Sequence, residues 1–234
     1  MKIIKLQYIA LIALCAVTVS CKKDNYSAPG TKLSGRIVYK GEAIGVENYQ
    51  VPYELYQFGF GKVGPIGSSF AQDGSYAAIL FNGQYKLIIP NGQGPFLWKK
   101  TAGGAPDSLA INLQGDQTLD LEVTPYYMLR SPQLAAAGGK VNATFKVEKV
   151  ITDVNAKDIE SVTLYINKTQ FVSGADNVAS AGMNGAAIAD PNNVALSVTI
   201  PTITPTQNYV FARIGLKIAG VEDRIFSPVQ KISF

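Results

Sequence analysis

Short runs of alternating apolar and polar residues, each closed by a turn signal, recur from Leu33 to the end of this 234-residue chain. No stretch carries the three-to-four spacing of a long amphipathic helix. Period-two alternation leaves each strand with one apolar face, and sheets built from such strands must bury those faces against one another. The chain is therefore expected to be all-β.

Strands are expected at Leu33 to Tyr39, Tyr49 to Tyr56, Ser75 to Phe81, Gln84 to Ile89, Leu109 to Leu113 and Thr118 to Val123. Pro52, which supplies no ladder donor, marks the second of these as an edge strand. Asp73-Gly74 and Asn82-Gly83 are tight-turn pairs about eight residues apart, the rhythm of an antiparallel meander. Phe58 to Gly67 is glycine-rich and aromatic and reads as a loop or a broken hairpin. In the last of these strands Leu119, Leu121 and Val123 face the core while Asp120 and Glu122 face water.

Thr124 to Pro132 and the small run Ala135 to Gly139 break the rhythm. The domain boundary is placed there, with residues 33–126 as a first β-sandwich, 127–138 as a linker and 139–234 as a second β-sandwich. Strands in the second are expected at Lys140 to Ile151, Ile159 to Asn167, Val194 to Ile200, Tyr209 to Ala219 and Arg224 to Phe234. Ala212, Ile214, Leu216 and Ile218 alternate with Phe211, Arg213 and Lys217, which predicts a half-buried strand. Glu222 and Asp223 then read as solvated charges at a hairpin tip. Ser173 to Asn193 is weakly patterned, a surface excursion or a loop with one short helix near Asn184 to Ala189.

The N-terminus is of a different kind. Lys2 and Lys5 form a positive n-region, Ile9 to Val19 a short apolar segment, and Ser20 a small residue before Cys21. Residues 1–20 thus resemble a bacterial lipoprotein signal, with Thr18 where such signals usually carry Leu. Processing would leave Cys21 as a lipidated, palmitate-bearing N-terminus and residues 21–32 as a tether. The apolar run is shorter than the roughly 20 residues that span a bilayer.

Removing the signal leaves 19 basic against 17 acidic residues and no Lys/Arg cluster, so no footprint for nucleic acid is present. Histidine is absent, and the second cysteine, Cys15, falls within the signal. That excludes Ser-His-Asp and Cys-His nucleophile pairs, Cys/His zinc sites and thiol redox couples within the processed chain. No calcium-loop pattern occurs, and Gly59 to Gly64 fits a dinucleotide fingerprint only in spacing, without the following helix. No metal, cofactor or enzymatic activity is expected. Asp107-Ser108-Leu109 resembles a short O-glycosylation motif.

Two constellations remain. Asn91 to Gly104 places the chain's one tryptophan in a glycine-rich connection, with Phe96, Lys99 and Asn91 nearby. A presented Trp98 indole stacks on a sugar ring while amide and ammonium groups reach its hydroxyls. Alternatively, Phe96 and Trp98 fold back to cap the sandwich core. Among Glu54, Asp107, Asp116, Asp120 and Glu122, the pair Asp120 and Glu122 has a spacing open to a glycosidase, which needs two carboxyls about 5 to 9.5 Å apart. Carboxylates on an exposed strand face are ordinarily solvated charge, and that reading is preferred.

Taken together, Cys21 to Tyr26, Leu33-Ser-Gly-Arg-Ile-Val38, Gln72-Asp-Gly-Ser-Tyr76, Phe81-Asn-Gly-Gln-Tyr-Lys86, Asn91-Gly to Gly94-Pro-Phe96 and Leu119 to Tyr126 resemble the lipoproteins of domain-of-unknown-function family 3823. The resemblance implies a transthyretin-like or carboxypeptidase-regulatory-like sandwich followed by an immunoglobulin-like one. It implies a product of a polysaccharide-utilisation locus at the outer membrane, displayed on its outer or its periplasmic face. SusC-like and SusD-like partners and a polysaccharide or oligosaccharide ligand are expected. It supplies no catalytic residues, and fold alone assigns no activity. Anchoring is checked by fatty-acid labelling: Cys21→Ala is expected to lose the label and leave the membrane fraction.

Overall fold

A computed structural model describes residues 27–59 and 63–234. The signal, the first half of the tether with Cys21, and Phe60 lie outside the described residues. Among those described, no helix is long and apolar enough to cross a membrane.

The first domain contributes β1 (Thr31–Tyr39), β2 (Glu42–Ala43), β3 (Pro52–Gln57), β4 (Pro65–Ser69), β5 (Ser75–Leu80), β6 (Gly83–Ile88), β7 (Phe96–Leu97), β8 (Leu109–Leu113), β9 (Gln117–Thr118), β10 (Leu121–Glu122) and β11 (Thr124–Pro125). One sheet runs β4-β3-β6-β8, all antiparallel; the other is centred on β1, flanked by antiparallel β5 and β2 and by parallel β9 and β10. Leu33 and Ile37 meet Leu55, Leu87 and Leu113 between them. Tyr53, Phe70 and Tyr76 pack edge to face or tilted, with centroids 5.0 to 5.8 Å apart.

The expected meander is corrected. β4 and β5, joined through Asp73-Gly74, lie in different sheets, as do β5 and β6, joined through Asn82-Gly83. The tight turns are present, but they arch from sheet to sheet, because the long β1 claims β5 as its partner. β3 is an inner strand; Pro52 is tolerated as its first residue, where only β4 flanks it. β4, which starts within the expected loop or broken hairpin and pairs antiparallel with β3 as a hairpin would, is the edge.

The run Thr118 to Val123 is likewise two short pieces. A Cβ on Gly35 would lie 1.9 Å from the Leu119 carbonyl oxygen, so only glycine lets that peptide bulge over β1. The buried Tyr76 hydroxyl donates to the same oxygen at 2.7 Å.

The second domain contributes β12 (Tyr127–Ala137), β13 (Lys140–Lys149), β14 (Ile159–Asn167), β15 (Ala179–Asn184), β16 (Val194–Thr199), β17 (Tyr209–Ile218), β18 (Arg224–Phe226) and β19 (Gln230–Ser233), with one 3-10 turn at Gly185–Ala187. The sheet β12-β13-β16 faces β15-β14-β17, and both β18 and β19 pair with β17. The all-β expectation of two sandwiches in tandem holds.

The linker does not. Residues 127–137 form β12, paired along its length with β13 around a bulge at Ser131-Pro132, so the second domain begins at Tyr127. Its small residues, read as a spacer, are what a flat sheet face accepts. The Ser173 to Asn193 segment holds β15 and the 3-10 turn, and the buried Ser173 hydroxyl accepts the Ala175 and Asp176 amides.

The domains share one continuous apolar core, which explains why β17 is buried on both faces. Arg213, expected at the surface, is fully buried. Its guanidinium donates to the carbonyls of Val46 (2.9 Å) and Gln72 (3.2 Å) in the first domain and Val172 in the second, and lies 3.7 Å from the Phe226 ring centroid. Burial pushes it down to about 9, so it remains a cation at neutral pH; nearby Glu47 acts in the opposite sense. Beside it the Phe226 amide donates to Gly45 O at 2.9 Å, and a Cβ on Gly45 would meet Phe226 O at 2.7 Å. Asp223 is buried too and accepts the Gly94 amide at 2.7 Å across the interface, correcting the hairpin-tip expectation.

Arg213→Leu removes the guanidinium from three carbonyls, of which Gln72 O keeps the Val46 amide while Val46 O and Val172 O lose the donor that Arg213 gave them. A loss of about 3 kcal/mol or more is expected, with one calorimetric transition splitting into two; an unchanged midpoint would show the interface is held by apolar packing alone. Asp223 gives a second test. Burial raises its carboxyl and Glu222 adds to this, while the Gly94 amide and Lys217 oppose it. A carboxyl raised by folding binds its proton more tightly in the native state. Stability therefore falls as pH rises through the interval just above the ordinary carboxylate value. Asp223→Asn, whose carbonyl still accepts the Gly94 amide, is expected to flatten that interval in urea unfolding across acid to neutral pH.

Candidate functional site

The connection after β6 is where the sequence places a sugar platform, and there the indole turns inward. Lys99 and Asp107 pair their backbones, as do Thr101 and Ala105, so residues 99–107 fold into a small hairpin. Trp98 at its base is 9% exposed, and Nε1 donates to Asp107 O at 2.8 Å. Phe96 is buried against Gly94, whose missing Cβ makes room for the ring. Burying both rings while satisfying the indole N–H favours the inward arrangement.

Of the two arrangements expected for Phe96 and Trp98, the fold is the cap on the core, and Trp98 as a presented stacking ring is corrected. Lys99 Nζ donates to Ser108 O at 3.0 Å and lies 5.5 Å from the Trp98 ring centroid; Asn91 Nδ2 donates to Gly104 O at 3.2 Å. Asn91, Phe96 and Trp98 line a mouth closed on its far side by Lys157 and Val221, with a volume of about 130 Å³. Small-molecule sites ordinarily have about 300 to 1,000 Å³.

Asp120 and Glu122 are exposed as expected, yet they hold the backbone. Asp116 accepts the amide of Lys32 at 2.8 Å, Asp120 that of Arg36 at 2.9 Å and Glu122 that of Lys40 at 2.6 Å. Where the bulged parallel pieces leave β1 amides without a carbonyl, these side chains supply the acceptor. Among the described residues no three Asp or Glu side chains converge as a metal site would require.

A larger hollow lies on the solvent face of β1 and β5. It has a volume of about 690 Å³ and is lined by Lys32, Ser34 and Arg36 of β1, Ser75 and Ala77 of β5, Thr118 and Asp120, with Tyr49, Ser68 and Ser69 along one side. The sheet dictates this lining: inward Leu33, Gly35 and Ile37 leave Lys32, Ser34 and Arg36 outward. Tyr49 is 65% exposed. Its backbone sits at φ 56° in a turn pinned by its amide to Phe70 O at 2.9 Å, while Asn48 Oδ1 accepts the Gln72 amide. An exposed ring is thus held on a fixed backbone.

At the hollow's end Arg36 reaches Asp73 at 3.4 Å, both side chains about half exposed. Burial alone would raise the Asp73 carboxyl, but the Ser75 hydroxyl and amide and the Arg36 charge outweigh it and hold it below the ordinary range. Burial pushes the Tyr76 phenol, in the hollow's floor, well up, so it stays protonated as the donor to Leu119 O. One aromatic face, several hydroxyls, an ammonium and a guanidinium suit a polyhydroxylated ligand held by stacking and hydrogen bonds.

Sequence reasoning took Tyr49 as the first residue of a strand. The signal available was Glu47-Asn48, a turn former interrupting the run between Val46 and Val51.

The N-terminal domain of the DUF3823 proteins of unknown function matches residues 31–124, and the DUF3823_C domain of unknown function matches 127–231. A crystal structure of a DUF3823 family protein from Parabacteroides merdae is 33% identical, with a TM-score of 0.76 over 88% of this chain and 100% of that one. Another from Bacteroides ovatus is 28% identical, TM-score 0.75, over 87% and 98%. A Bacteroides uniformis protein provisionally described as carbohydrate binding shares the fold at 18% identity, TM-score 0.65, over 88% and 100%. No curated protein matches significantly. With both domains matched in order over nearly all of the described residues, the chain belongs to the DUF3823 family.

Proposed function

We propose that this protein is a non-catalytic glycan-binding accessory, lipid-anchored through Cys21 at the outer membrane and acting beside a SusC/SusD-like uptake complex. The observation that carries the binding half is the hollow of about 690 Å³ on the β1–β5 face, with Tyr49 exposed over a floor of hydroxyl and cationic side chains. It departs from the sequence-level expectation in locating the stacking ring at Tyr49 rather than Trp98. The provisional carbohydrate-binding description of a protein with the same fold agrees with it. The anchoring half rests on the signal pattern and the tether, and the partner on the resemblance.

A second reading, an assembly module that docks the transporter without a ligand of its own, is favoured by another observation. Edge strand β4 carries no charged residue, and Ile66 upon it, Val63 before it and Phe58 after β3 are all exposed.

The test is affinity electrophoresis of residues 22–234 through starch, laminarin, xylan, pectin and mucin. One polymer is expected to retard the parent, with retardation lost in Tyr49→Ala and kept in Lys99→Ala. Retardation that survives Tyr49→Ala would move the site elsewhere; none with any polymer would favour the docking module.

A further inference from the structure

A second hollow begins where the first ends. It has a volume of about 300 Å³ and lies between Ala43 and Gly45 of the first domain and Pro228 and Val229 of the second, with Gln72 at its back. The two hollows share Arg36, and Asp73, its ion-pair partner, lines the second.

We infer that the two hollows are one binding track, which selects an extended oligosaccharide over a single sugar by running from Tyr49 past Arg36–Asp73 into the notch between the domains. This rests on the glycan-binding reading and names its ligand class.

Three observations support it. The Arg36–Asp73 pair is solvent-exposed, and such pairs contribute little, so it opens at small cost and offers guanidinium donors and carboxylate oxygens to ring hydroxyls midway along the track. The notch is walled by Ala43, Pro228 and Val229, an apolar surface suited to a sugar's C–H face. The notch walls are also fixed relative to the groove, because Gln72 O and Val46 O, on either side of Gly45, are both held by Arg213. A track of fixed length is what measures a chain.

The test uses the polymer that retards the parent, hydrolysed to fractions of one, three and six units and titrated calorimetrically. The six-unit fraction is expected to bind the parent about tenfold or more tightly than the single unit. Ala43→Arg projects a long cation into the notch from an exposed position. It is expected to reduce six-unit affinity to the three-unit value while leaving single-unit binding unchanged; Tyr49→Ala weakens all three. Equal affinity of parent and Ala43→Arg for six units, or no dependence on length, overturns the track and leaves glycan binding at Tyr49 standing. No binding of any polymer overturns both.

Discussion

Arg213 is the constraint on which the two-domain arrangement depends. A buried guanidinium has to find acceptors for its donors, and none of its partners is a carboxylate: three backbone carbonyls and the face of Phe226 receive it. Main-chain acceptors cannot swing away as a side chain can. The segments around Val46 and Gln72 are therefore held to β17, and with them everything those segments carry. Tyr49 follows three residues after Val46, and Asp73 follows Gln72 directly, so the Tyr49 side of the groove and its Arg36–Asp73 end both hang from a cation in the other domain.

The inner wall of that groove is set by a different exchange. β1 pairs with β5 on one side, but on the other its partner strand is broken by the bulge at Leu119, which Gly35 alone permits. The amides of Lys32 and Arg36 in β1 and of Lys40 just after it receive carboxylates in place of carbonyls. The bulge thus consumes the acidic side chains that sequence spacing offers as a catalytic pair.

How far the sequence shows this varies with the range of the interaction. Alternation located β14, β16 and β17 almost to the residue, since apolar periodicity is a local record of burial. It failed at Arg213, where the second face of β17 is covered by a domain some 140 residues earlier in the chain. The Asp73-Gly74 and Asn82-Gly83 turns were legible as turns. Which sheet each turn enters was not, because that choice belongs to β1. Ala135 to Gly139 looked like a spacer because small residues are ambiguous between a linker and a flat sheet face; pairing with β13 decides between them. Trp98 was placed in the right loop, but whether an aromatic ring faces out or in turns on a partner such as Asp107 O, which no spacing reveals.

An open groove on a sheet face has a particular consequence for binding. The outward side chains of β1 and β5 stand on backbone already fixed by pairing on both sides of β1, so no loop has to be ordered when a ligand arrives. What such a face lacks is enclosure, and a ligand that leaves much of its surface wet gains little from each contact. On the proposed reading both properties favour a polymer: its ends pass freely out of the groove, and successive units rebind when one lets go. Anchoring many copies to one membrane would then raise the effective concentration of sites along a single chain, making weak contacts additive across molecules rather than within one.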